Sequence, residues 1–151
     1  MLDANSPDTA VMDVRFIASF SLVSAHPAQD RHLLVDALGL PLRPAGVERS
    51  DYVFSEAVGG AKHFGVWPLE EAAQACFGQP TWPQGHPVPQ ASIDFEVDDV
   101  EAAVRELQER GYRLLHPART EPWDQTIARL QTADGVLVGV CFTPWLHSAP
   151  L

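Results

Sequence analysis

The sequence predicts an α+β fold: tandem βαβββ modules forming a paired curved-sheet cavity. Three observations point to it. Apolar alternation marks a strand near the start of each half. Each strand is followed by one amphipathic helix that stops at a glycine, Gly39 in the first half and Gly111 in the second. The order of elements then repeats at an offset of about 73 residues, and Gly39-Leu-Pro-Leu-Arg-Pro-Ala45 echoes Gly111-Tyr-Arg-Leu-Leu-His-Pro-Ala118.

The elements follow in order. Residues 1–14 read as a disordered extension, with Met12 an alternative start. The first module spans 15–67. Its strand Phe16–Val23 alternates, and His26-Pro27 opens a helix with proline in the first turn, where it is tolerated. Leu33, Leu34, Ala37 and Leu38 give that helix its apolar face. Strands are expected at Leu40–Arg43, Asp51–Ala57 and Lys62–Trp67, with Gly59-Gly60 as a turn. Residues 68–90 form a connector holding a short helix, Leu69–Phe77, and a proline-rich loop. The second module spans 91–144. Its strand Ala91–Val97 runs into a helix from Asp98 to Arg110, with Asp98 as the N-cap and Glu101 at capping-box spacing. Strands are expected at Tyr112–Leu115, Thr126–Thr132 and Val136–Phe142, and a tail at 145–151.

Composition narrows the function classes. The chain has 151 residues, enough for one domain that folds without disulfide or metal. Its net charge of −10 argues against a nucleic-acid partner, because phosphate binding requires clustered Lys and Arg. Cys76 and Cys141 do not form a CxxC pair, so a cysteine zinc site is not expected. No apolar run is long enough for a membrane span, and no signal peptide is visible, which together lead to the expectation of a cytoplasmic protein.

Phe95-Glu-Val-Asp-Asp-Val100, the Gly111-Tyr112 helix exit and Ala133-Asp-Gly-Val-Leu-Val138 carry a specific resemblance. With the tandem βαβββ order, they make the chain resemble the vicinal-oxygen-chelate superfamily of glyoxalase I, bleomycin-resistance proteins and extradiol dioxygenases. The resemblance covers about Arg15 to Pro144 and implies a homodimer. Metal-dependent members of that group carry His or Glu on the first and last strands of each half. Counting from the helix starts and turns places those positions at Ser19, Ser92 and Gly139, with the fourth among His63, Gly65 and Trp67; Trp67 fits the repeat offset best. Serine and glycine are not ligands for zinc, iron or manganese. The expectation is therefore a binding or sequestering protein without metal or other cofactor. Its closest resemblance is to the bleomycin-resistance-like members. The alternative is a metal-dependent lyase or dioxygenase with an atypical site.

Strand parity then assigns the cavity lining. Ala91, Ile93, Phe95 and Val97 pack on the helix, which leaves Ser92, Asp94 and Glu96 concave, Glu96 in solvent at the strand end. Ala18, Phe20 and Leu22 pack, leaving Ser19 and Ser21; Val138 and Val140 pack, leaving Gly139 and Cys141. The candidate ligand-binding set is Ser19, His63, Trp67, Ser92, Asp94, Trp123, Arg129 and Gly139. Trp67, Trp82 and Trp123 offer stacking faces to an aromatic or cationic small molecule, and Asp94 is expected to pair with Arg129 or with a ligand cation.

Overall fold

The structure is a computed structural model that describes residues 12–48 and 50–147. The expected extension over 1–14 lies outside those residues up to position 11, as does the tail from 148. Met12 packs against the core beneath the helix of the second module.

One eight-stranded sheet holds both modules. Its strands are β1 (Phe16–Ser24), β2 (Arg43–Pro44), β3 (Val53–Ser55), β4 (Phe64–Pro68), β5 (Ala91–Glu96), β6 (His116–Thr120), β7 (Thr126–Gln131) and β8 (Leu137–Phe142). Their spatial order is β2-β3-β4-β1-β5-β8-β7-β6. Within each module the first strand runs parallel to the last, β1 with β4 and β5 with β8. At the seam β1 pairs antiparallel with β5, matching Ser19 to Asp94 and Ser21 to Ser92. That pairing is symmetric under exchange of the modules, with Ser19 equivalent to Ser92 and Ser21 to Asp94.

Helices cover the convex face. In the first module α1 (Pro27–Arg31) runs on into a π-helical segment (His32–Ala37). Of its expected apolar face only Leu34 is buried, against Leu42, Val53 and Val66; Leu33 and Leu38 are exposed. The wider π turn rotates the side chains away from a simple 3.6-residue stripe. In the second module α3 (Val100–Glu109) buries Val100, Ala103 and Val104 on Ala128 and Val140. Its N-cap is Asp99, whose side chain accepts from the Ala102 N–H, while Asp98 instead pairs with Arg15 at 2.7 Å. Gly111 follows the helix at φ +93°, a conformation that strains any residue with a Cβ.

The concave face is closed at two ends. Where β1 finishes and β8 begins, α2 (Leu69–Phe77) packs Ala72, Ala73 and Cys76 on Val23 and Leu137. Trp82 joins that cluster, meets Phe77 edge-on and donates to the His86 carbonyl, so it serves the connector and not the cavity. At the opposite end, a 3-10 turn (Pro144–Leu146) lays Leu146 beside Phe16, Ala18, Ile127 and Cys141.

Two sequence expectations are corrected by backbone geometry. The strand expected at Tyr112–Leu115 begins later, at His116, because Gly111 to Leu115 is spent returning the chain from the helix to the sheet edge. Ala18 does not pack on a helix. A bulge between Ile17 and Ser19 inserts it as an extra residue on the concave side, where it is 1% exposed.

Asp124 is the one non-glycine residue with positive φ (+72°) among the described residues, and its side chain is exposed. Replacing it with glycine removes the left-handed strain and keeps the Asp124 N–H bond to the Glu121 carbonyl. Asp124→Gly is expected to stabilise the fold by ~0.5–1 kcal/mol, raising Tm by about 1–4 °C in a thermal melt. An unchanged or lower Tm would show that the turn carries no strain.

Candidate functional site

The concave face encloses a cavity of about 750 Å³. Its floor is the seam: Ser19 and Ser21 from β1, Ser92 and Asp94 from β5. One wall carries Tyr52, Phe54, His63 and Trp67, and the other Arg129, Gln125 and Trp123. Trp145 and Glu56 lie at the C-terminal turn, and Glu71 reaches in from α2. Of the eight residues singled out from the sequence, seven line this cavity. The eighth, Gly139, lies directly beneath Asp94: a Cβ there would stand 2.3 Å from Asp94 Oδ1.

Register fixes the fourth family position. Asp94 pairs with Gly139, and Asp94's symmetry mate Ser21 pairs with Gly65. The position equivalent to Gly139 is therefore Gly65 and not Trp67. A Cβ at Gly65 would meet the Val53 carbonyl at 2.7 Å and the Tyr52 ring at 3.2 Å. The four positions are thus two serines on the first strands and two glycines, each overlain by a polar side chain. This donor set does not fit a divalent metal, which takes imidazole, carboxylate or thiolate. Among the described residues, no three His, Cys, Asp or Glu side chains converge as a metal set.

Three polar assemblies meet the cavity. The first is Tyr52–His63–Glu56. The Tyr52 hydroxyl lies against His63 Nε2, and His63 Nδ1 faces Glu56 Oε2 at 3.3 Å. Burial lowers the His63 pKa, so the neutral ring donates from Nδ1 to Glu56 and accepts from Tyr52. Burial, with help from the Asp94 charge, raises the Tyr52 pKa and keeps the phenol protonated. Phe54 stacks on His63 at 4.8 Å and holds the ring flat.

The second assembly surrounds Arg129, which is nearly fully buried. The expected ion pair with Asp94 does not form. Arg129 Nη1 instead donates to Glu121 Oε2 at 3.0 Å and to His116 Nε2 at 3.2 Å, and the guanidinium sits over the Trp67 ring at 5.3 Å. His116 donates from Nδ1 to the Pro117 carbonyl, and desolvation pushes its pKa down to about 4, so it is a neutral acceptor. Glu121 is the buried counter-charge, a role that sequence reasoning missed; its place in the turn before β7 carries no signal of it. A buried guanidinium requires such a partner.

The third is Asp94. Its carboxylate has no hydrogen-bond or ion-pair partner among the described residues. Desolvation pushes its pKa up to about 6, opposed by Arg129 and aided by Glu96. Glu96 is also corrected: it is fully buried, not solvated. It accepts from the Thr143 backbone N–H and pairs with His147 at 2.6 Å, which ties down the C-terminal turn.

The lining thus combines aromatic faces with the carboxylates of Glu48, Glu56, Glu71 and Asp94, against one cation, Arg129, among the described lining residues. A family model described as Glyoxalase/Bleomycin resistance protein/Dioxygenase superfamily matches residues 17–140. The chain belongs to that superfamily. A superfamily member from Vibrio splendidus 12B01 is 17% identical, with 87% of this chain and 100% of that chain covered, at a TM-score of 0.55. A methylmalonyl-CoA epimerase variant from Streptomyces coelicolor, in complex with 2-nitronate-propionyl-CoA, is 14% identical, covering 87% and 96%, at 0.57. The Mycobacterium tuberculosis methylmalonyl-CoA epimerase is 18% identical, covering 93% and 96%, at 0.55. At these identities the likeness is one of fold. No curated protein sequence matches. No helix among the described residues is long and apolar enough to cross a membrane.

Asp94 and His116 have opposite effects on stability. A carboxyl whose folded pKa lies above its unfolded value stabilises the fold while protonated, and that contribution is lost as pH rises through about 4 to 6. A histidine with a lowered folded pKa loses its contribution as pH falls from 6.5 to about 4. The two offset each other in the native chain. Asp94→Asn removes one of them. The variant is expected to exceed the native protein in stability by about 2–3 kcal/mol at pH 7–8, with the difference vanishing near pH 4. Urea melts at both pH values measure it; a pH-independent difference would show that Asp94 is not destabilised by burial.

Proposed function

We propose that this chain binds and sequesters an aromatic, cationic small molecule in the concave cavity without a metal. The observation that carries this reading is the charge balance of the lining: four carboxylates and one paired arginine, between aromatic walls. Stacking on Trp67 and Trp123 supplies apolar burial, and the ionised carboxylates attract a cation through a partly desolvated medium. The serines and glycines at the four family positions support metal independence. Ligands with several phosphates, such as acyl-CoA thioesters, are disfavoured by the same carboxylates.

The reading extends to a homodimer. Between the two helices the convex side of the seam leaves Ile17 exposed beside half-buried Ile93 and Phe95, an apolar strip suited to a second copy.

Calorimetric titration against planar amines, amidines and cationic glycopeptides, with a coenzyme A thioester as the anionic control, tests the proposal. Saturable binding of a cationic member is expected, weakened about tenfold or more in Trp67→Ala and by added salt. Binding confined to the anionic control, or dependent on added zinc, nickel or iron, would overturn it.

A further inference from the structure

The cavity contains a pair of groups that simple sequestration does not use. Asp94 and Arg129 both face the ligand space, on strands separated only by β8, and the β8 residue between them is Gly139. No side chain therefore stands between the carboxylate and the guanidinium, and they do not close into an ion pair. Arg129 commits Nη1 to Glu121 and His116; its Nη2 and Nε make no hydrogen bond among the described residues. Glu121 and His116 fix the guanidinium in place, over the Trp67 ring. The result is an acceptor with no partner and a rigid cationic donor on the two sides of a gap.

We propose that the cavity is a metal-free proton-transfer site: Asp94 removes a proton from a planar, uncharged or cationic carbon acid, and an Arg129 N–H stabilises the electron pair left behind. The substrate class is a flat molecule whose C–H is acidified by an adjacent carbonyl or imine. The proton passes from carbon to an Asp94 oxygen. The C–H electron pair moves onto the carbonyl oxygen or imine nitrogen, where the guanidinium meets it, and returning the proton at another atom completes an isomerisation. No redox partner is needed. A desolvated carboxylate beside a preorganised hydrogen-bond donor is the arrangement such chemistry requires. Burial raises the basicity of Asp94 toward neutrality, as the reaction needs. This inference rests on the cavity being a binding site for planar molecules.

The probe is 5-nitrobenzisoxazole, a neutral planar molecule. Removal of its ring C–H proton forms a nitrile, breaks the N–O bond and releases a coloured phenolate. Binding is read separately, from quenching of Trp67 and Trp123 fluorescence. Turnover is expected at least ~100-fold faster than with acetate at equal concentration and pH. The rate should rise through pH ~6 to a plateau, as Asp94 ionises against the charges that face it: Arg129 on β7, Glu96 on its own strand, and the neutral Tyr52, Cys76 and Cys141. Asp94→Asn should lose the rate and keep the quenching. Quenching without turnover in the native protein overturns the proton-transfer role and leaves the binding reading standing. Absence of quenching overturns the proton-transfer role, because the cavity then does not accept a neutral planar molecule, and leaves the cation-binding reading to its own titration. Turnover that survives Asp94→Asn, or that follows added metal, assigns the chemistry elsewhere and sinks the proposal.

Discussion

Everything in this molecule hangs on the pairing of β1 with β5. Each module alone is a curved half-sheet with one helix on its convex side and nothing on its concave side. Joining them antiparallel at the seam, with Ser19 facing Asp94 and Ser21 facing Ser92, turns two open troughs into one cavity. The pairing is made here within a single chain, whose own residues line the cavity. It also sets the chemistry of the floor, because every residue there comes from the two seam strands.

Much of the fold was legible because it depends on short-range rules. The period-2 alternation of β1 and β5, Gly39 and Gly111 after the helices, and the helical piece at Leu69–Phe77 all stand where the sequence places them. The failures share a cause: each depends on a tertiary contact or a backbone irregularity that strand alternation does not encode. Glu96 reads as a solvated strand end until His147 and the Thr143 N–H fold over it. Arg129 reads as the partner of Asp94 until Glu121, eight residues earlier in the turn that leads into β7, takes it. Ala18 reads as packed beneath a helix until a one-residue bulge turns it to the concave face, where it is buried with Ile127 and Cys141. Parity places Ser19, Ser92, Asp94, His63 and Trp67 on the concave face, yet it does not reach Tyr52, Phe54, Gln125 or Glu71, and it gives no pairings, since parity says which way a side chain points and nothing about what it meets.

The charge arrangement also explains why the site is not the most stable version of itself. Arg129 is buried, but Glu121 answers its charge and His116 accepts from the same Nη1. Asp94 is half-buried and unanswered, and desolvation acts on it without compensation. Folded proteins tolerate such a group where the binding of a ligand restores what burial removes. The aromatic residues around it lower the local dielectric and sharpen that effect.

The two glycines beneath Tyr52 and Asp94 carry a consequence for redesign of the site. At Gly139 a side chain would occupy the space of the Asp94 carboxylate, and at Gly65 it would collide with the Val53 backbone and the Tyr52 ring. A metal-ligating side chain at Gly139 therefore requires Asp94 to move or be replaced at the same time, and one at Gly65 requires the backbone of β3 to shift as well. Building a metal centre into this cavity is thus a matter of several coupled changes and not of one.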